Sequence, residues 1–232
     1  MTEARSSRLR EGRRLSRPFF DRPTAKVARE LLGCVVGVVG DDGRERAVRL
    51  VETEAYVHDD PANHAYRGPT ERNRSMFERP GTLYVYRIHQ VVCANLVTRP
   101  GEAVLLRAGA PLSPELGRPV GPGRLCRVLG LTLADDGVDA VTGGRLRLLA
   151  RPGGAVPVAA LPRVGIRRAA ERPLRFAVIG SPWVSRPRPW AVAPLSEASP
   201  TRSRGAAASR RTRTTRRRSS GGGRSGGRTA GR

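Results

Sequence analysis

Two glutamates and a tyrosine alternate in the run Val51-Glu-Thr-Glu-Ala-Tyr56. On an extended strand this spacing puts Glu52, Glu54 and Tyr56 on one face, so two carboxylates and a ring share a surface. A carboxylate placed there can move a proton, while paired carboxylates on a strand are also commonly solvated or ion-paired; the residues alone leave both readings open. All four tyrosines lie between Tyr56 and Tyr86, and the three histidines, His58, His64 and His89, fall in nearly the same window. Polar aromatics this concentrated predict a stacking site for planar ligands, against the plainer reading that they decorate strand ends. Arg67, Arg72, Arg74 and Arg79 set phosphate-directed charge beside the rings. His58 and His64 stand in no HxH or HExxH pattern, so no metal site is predicted. Neither a P-loop nor a GxGxxG run nor a Ser-His-Asp order is present.

Composition says what such a site would meet. The chain has 232 residues, 43 basic against 20 acidic, and a net charge of +23. A balance this basic selects acidic macromolecules, nucleic acid first and anionic membrane surfaces second. The charge is concentrated at the ends: residues 201–232 hold eleven arginines and no acid, and residues 1–18 hold six arginines against two glutamates. The expected organisation is a basic disordered arm over 1–18, one domain over 19–185, and an Arg/Ser/Gly-rich disordered tail over 186–232. Cys34, Cys93 and Cys126 form no CxxC pair, which predicts neither a disulfide framework nor a zinc site and fits a reducing, cytoplasmic setting at the nucleoid. The most apolar stretch, 31–40, is far short of the roughly 18 to 20 residues of a spanning helix. No apolar segment follows the basic N-terminus, so no secretory signal is expected.

The elements that must position the site follow from periodicity. Val27, Ala28, Leu31 and Leu32 make one helical face after Pro23, with Gly33 as its stop. Strands are expected at Cys34–Val39 and Ala47–Glu54, joined through Gly40-Asp-Asp-Gly43, and again at Leu83–Tyr86, Val91–Val97, Val104–Ala108 and Arg175–Ile179. Residues 57–81 lack a period and read as a long functional loop. A short helix, Arg124–Leu131, follows Gly121-Pro-Gly123. The sum is a single mixed α+β domain with mostly antiparallel strands. Composition and spacing stop at a nucleic-acid-binding domain with an aromatic, glutamate-containing pocket.

The run Val51–Tyr56, then His64, Arg72-Asn-Arg-Ser-Met-Phe77 and Pro80-Gly-Thr-Leu-Tyr-Val-Tyr86 resembles the alkyladenine (3-methyladenine) DNA glycosylase family of base-excision repair. In the same order follow Val104-Leu-Leu-Arg-Ala108, Gly121-Pro-Gly-Arg-Leu-Cys126, Arg163-Val-Gly165, Arg172-Pro-Leu-Arg-Phe176 and Gly180-Ser-Pro-Trp-Val-Ser185. The resemblance implies a curved sheet, short helices around it and a DNA-inserting β-hairpin. It further implies a monomer that flips alkylated or deaminated purines out of double-stranded DNA and hydrolyses the N-glycosidic bond without metal or cofactor. Glu54 matches the general base for the attacking water and Arg107 the arginine beside it. Tyr56, His64 and Tyr86 match the residues around the flipped base, and Asn95 the position that excludes the 2-amino group of normal guanine. Arg67, Arg72, Arg74 and Arg124 are the expected backbone contacts, and Glu52 is expected to be structural.

The sole lysine, Lys26, lies outside these motifs. A glycosylase with lyase activity needs an amine for a Schiff base, so a monofunctional, water-using enzyme is expected. The segment Arg87-Ile-His-Gln-Val-Val-Cys93 is one residue shorter than the family's hairpin and lacks its glycine; His89 is the expected wedge. The basic tail reads either as an electrostatic tether or as a low-complexity extension. Two non-enzymatic readings compete: a noncatalytic damage- or DNA-binding protein that kept the fold, and a DNA-compacting basic protein.

Overall fold

The computed structural model describes residues 12–188. The tail 189–232 and the first eleven residues of the arm lie outside that range. Residues 12–18, assigned to the arm by composition, pack on the domain: Leu15 is buried and its N–H donates to the Leu148 carbonyl, and Arg17 pairs with Asp139. One helical turn, α1 (Arg17–Phe20), leads into α2 (Thr24–Glu30). Val27, Ala28, Leu31 and Leu32 are buried, as their spacing requires. Gly33, at φ +85, turns the chain into β1 (Val35–Val39).

The turn at 40–43 then reverses into β2 (Glu45–Tyr56), twelve residues long and the axis of the sheet. Asp42 steadies this turn, accepting from the Arg44 N–H and pairing with Arg46. Next come β3 (Leu83–Ile88), β4 (Val91–Arg99), β5 (Glu102–Pro111), β6 (Leu146–Leu149), β7 (Val158–Leu161) and β8 (Arg175–Val178). Every pairing is antiparallel, in the order β3-β4-β5-β2-β1-β6. β8 joins the second half of β2 through Glu52, Thr53 and Glu54, and β7 joins β8. The register between β2 and β5 shifts on either side of Glu52, where an irregularity bends a strand and re-aims its side chains. The sheet is curled and the domain is α+β.

Helix α3 (Pro122–Leu129) begins with proline in its first turn and ends at Gly130 in the left-handed region, φ 70. It starts two residues before the sequence-predicted segment because proline suits the first turn. Its buried Leu125, Cys126 and Leu129 meet Leu83, Leu96 and Leu106 of the sheet in the main core, with Leu31, Leu32 and Leu50 from the α2 side. Each fully buried leucine contributes roughly 1.5 to 3 kcal/mol. The loop 57–81 carries one 3-10 turn, Arg74–Phe77, and is pinned by polar side chains. Asn63 donates to the Val57 and Gly101 carbonyls, and Asn73 to the His64 and Gly68 carbonyls. Among the described residues no helix is long and apolar enough to cross a membrane.

Candidate active site

Strand registers assemble the site. Tyr84 and Tyr86 alternate on β3, and their partners across the ladder are Asn95 and Cys93 on β4. Asn95 pairs with Leu105 on β5, Leu105 with Glu54 on β2, and Ala103 with Tyr56. Directly paired residues share a face, so four strands bring rings, an amide and a carboxylate to one side of the sheet. The loop 57–81 adds His64, and the segment after β7 adds Val164, Gly165 and Ile166. Together they bound a cavity of about 190 Å³ whose polar lining includes Tyr56, His64, Tyr84, Tyr86, Asn95 and Arg107.

Glu54 is fully buried and is not itself part of the cavity lining, but three residues that contact it, Tyr56, Arg107 and Val164, are. Its Oε1 accepts from the Val164 N–H at 2.9 Å and lies 3.3 Å from Arg107 Nη1; its Oε2 accepts from the Tyr56 hydroxyl at 3.0 Å. Burial works against the Arg107 charge, but Glu54 and Glu52 outweigh it and hold the guanidinium charged. Glu52 is equally buried and fully engaged: Arg107, Arg175, and both the N–H and hydroxyl of Ser185 contact its carboxylate. The strand face predicted for the two glutamates is therefore real, and their roles separate. Glu52 anchors Arg107 together with Arg175 and Ser185, while Glu54 contacts three residues that line the cavity.

The rings form one wall. Tyr84 and Tyr86 stack at 5.3 Å between centroids, and the His64 ring meets Tyr86 edge-on at 4.5 Å. His64 Nδ1 and the Tyr84 hydroxyl lie 3.0 Å apart, which fixes the imidazole. His64 keeps an exposed edge, but desolvation of the ring side packed on the tyrosines, and second the Arg72 charge, lower its pKa below the ordinary 6.5 and favour the neutral ring. Burial first, and neighbouring groups second, raise the Tyr56, Tyr84 and Tyr86 phenols and keep them protonated. The Asn95 amide donates to the Tyr84 carbonyl at 3.1 Å and is held in place on the wall.

Ile88 and Val91 are directly paired at the end of the β3–β4 hairpin, leaving a two-residue turn of His89 and Gln90. His89 takes φ 51 with no glycine to relieve it, is exposed, and does not line the cavity. Val91 packs on Gly123, where a Cβ would collide with it, so α3 braces the hairpin. Two depressions flank the hairpin end. One holds Arg72 and Arg87, and the other, about 690 Å³, holds Arg124 and Arg127. Arg67 and Arg74 are exposed on the loop and do not line the cavity.

Sequence reasoning gave no site role to Tyr84 and Arg163, although both stand in the ordered motifs, nor to Cys93 and Asp60. Tyr84 carried a signal, standing two residues before Tyr86 and so on the same strand face, whereas Cys93 joins the site only through the β3–β4 register. Asp60 and Arg163 form a fully buried ion pair between segments 103 residues apart, which no local spacing signals. Among the described residues no cluster of three metal-ligating side chains occurs.

Residues 18–182 match the sequence pattern of the methylpurine-DNA glycosylase family. The chain is 42% identical over 191 residues to a Rhizobium etli protein named "Putative 3-methyladenine DNA glycosylase", covering 74% of this chain and 88% of that one. Proteins of the same name are similar in Anaeromyxobacter dehalogenans strain 2CP-1, 46% identical over 78% of this chain and 89% of the relative, and in Methanocella arvoryzae, 43% identical over 75% and 97%. With the ordered motifs, the curled sheet and a buried carboxylate beside an aromatic cavity, these matches make the chain a member of the methylpurine-DNA glycosylase family.

Proposed function

We propose that the chain is a monofunctional DNA glycosylase that removes alkylated or deaminated purines from double-stranded DNA by hydrolysis. The observation that carries this reading is Glu54: a fully buried carboxylate held by Arg107, the Val164 amide and the Tyr56 hydroxyl, three residues that line a cavity walled by rings. An N-glycosidic bond is inaccessible inside a duplex, so the damaged nucleotide must leave the stack to reach that cavity. Tyr56, His64 and Tyr86 take the flipped base between them, and base–aromatic stacking is worth roughly 1 to 3 kcal/mol. Asn95, held by its bond to the Tyr84 carbonyl, crowds the 2-amino group of an undamaged guanine.

Glu54 then acts as general base. It accepts a proton from a water whose oxygen bonds to the sugar C1′. The C1′–N bond breaks with its electron pair going to the base, leaving an abasic site and a purine. An alkylated cationic base departs neutral and Glu54 passes its proton to solvent, while a neutral lesion departs as an anion that takes up one proton. Arg107 holds the water and the carboxylate in register. Lys26, the sole lysine, stands on α2 in a separate depression with Arg29 and Arg151, away from the cavity, which supports water rather than an amine as nucleophile. Arg72 and Arg124, either side of the hairpin, hold the DNA backbone together with Arg67 and Arg74. Every residue in this scheme comes from one chain, so a monomer suffices.

Single-turnover excision on duplexes carrying hypoxanthine or ethenoadenine, in EDTA and with Glu54→Gln alongside, tests the reading. Excision by wild type and none by Glu54→Gln is expected. Tight lesion binding by both without excision would instead make the chain a damage-binding protein, and salt-sensitive binding without damage preference a DNA-compacting one.

A further inference from the structure

The side chain of Arg163 is fully buried, as is that of Asp60, which it meets through both terminal nitrogens. The Arg163 guanidinium carbon lies 4.6 Å from the centroid of the Tyr56 ring. Tyr56 and the neighbours of Arg163, Val164, Gly165 and Ile166, line the cavity, whereas the buried guanidinium on the Tyr56 ring does not. Arg163 also donates to the Ala55 and Ala169 carbonyls. It is thereby fixed to the strand carrying Tyr56 and to the segment closing the cavity.

The cost of such an arrangement is a reason to ask what it does. Burying an ion pair rarely gains stability over apolar packing, and here the cation is spent on one face of an aromatic wall. A cation on a ring face engages the quadrupole that would otherwise attract a second cation on the other face. Asp60 compensates the charge only from the far ends of the guanidinium. Glu54 and Arg107 add a second, mutually compensating pair.

We propose that the Arg163–Asp60 pair is a specificity determinant that favours neutral purine lesions over cationic ones in this cavity. The inference rests on the reading that the flipped base stacks on Tyr56. A neutral base such as hypoxanthine takes the ring face without penalty, whereas 7-methylguanine, which carries a fixed positive charge, meets a like charge across the ring. Arg163 acts through Tyr56 and is a positioning residue.

The test is the ratio of single-turnover excision rates for hypoxanthine and 7-methylguanine in one duplex context, compared between proteins so that intrinsic leaving-group reactivity cancels. The double variant Arg163→Met with Asp60→Asn leaves no unmatched buried charge and should shift the ratio toward 7-methylguanine by about threefold or more. Asp60→Asn alone leaves the cation uncompensated and should shift it the other way. Arg163→Lys, which keeps the charge, should hold the wild-type ratio. Loosened packing would slow both lesions together and cannot produce opposite shifts. A ratio unchanged in the folded variants overturns the inference, as does failure of both charge-altering variants to fold, which leaves the pair a structural role. Wild type excising neither lesion would instead overturn the glycosylase reading itself, and this inference with it.

Discussion

The Tyr56 hydroxyl donates to Glu54 Oε2 at 3.0 Å across a single intervening residue of β2. One side chain thus joins the cavity lining to the carboxylate, tying the proposed base-holding surface to the proposed general base. Tyr56→Phe separates these duties. The ring stays, so lesion binding should change little. Oε2 loses its donor and its orientation, so the single-turnover rate should fall by about tenfold, about 1.4 kcal/mol in the barrier. Binding titrations and rapid-quench kinetics on one duplex decide it; parallel losses in both would show that the hydroxyl matters for docking the base.

Glu52 and Glu54 should respond differently to the same substitution. Glu52 answers two arginines and Ser185. Glu52→Gln therefore leaves buried charge unmatched and should cost about 3 to 5 kcal/mol of stability. Below its lowered unfolding temperature it should retain part of the excision activity, whereas Glu54→Gln should retain none. Thermal unfolding beside excision assays separates the two, and an unaltered unfolding temperature for Glu52→Gln would contradict its anchoring role.

How far these roles were legible depends on the length scale of each contact. Glu54 and Tyr56 sit within one strand, where a period of two states their common face outright. The helical face of α2 and the β1–β2 turn are local in the same sense. β6 (Leu-Arg-Leu-Leu) and β7 (Val-Ala-Ala-Leu) escaped because leucine, arginine and alanine give little strand signal, unlike Phe176 and Val178 in the equally short β8. The cavity itself depends on registers between strands: Leu105 opposite both Glu54 and Asn95 is a consequence of chain closure, not of spacing. Asp60 and Arg163 are the extreme case, since each looks like an ordinary loop charge until the fold buries them together.

His64 provides a pH-dependent readout of the wall. Partial burial, then the Arg72 charge, lowers its pKa below 6.5, while Tyr84 holds Nδ1. A histidine whose folded pKa is lowered contributes stability that is fully present above its unfolded value and is lost as pH falls through the folded one. In a two-dimensional NMR titration the His64 ring should therefore titrate with a midpoint below 6.5. Arg72→Gln should move its midpoint upward. A midpoint at or above the ordinary histidine value in the wild type would mean that the ring is more open to water than the wall geometry implies.

The end of the β3–β4 hairpin sets a last prediction. Ile88 is 49% exposed and its ladder partner Val91 40%, two large apolar side chains left open between depressions lined by arginines. Ile88 also lines the cavity, which His89 does not. Groups that fill a gap in a base stack are characteristically apolar wedges, so Ile88 is better suited to that gap than the histidine at the turn. Ile88→Ala should lower excision from fully paired duplex by about tenfold or more, the unstacking cost no longer being offset. Excision from a lesion placed in a bulge, already unstacked, should fall far less. His89→Ala should have the smaller effect on both substrates. The reverse order, with His89→Ala the more damaging on paired duplex, would return the wedge to the histidine and reduce Ile88 to a support for the cavity mouth.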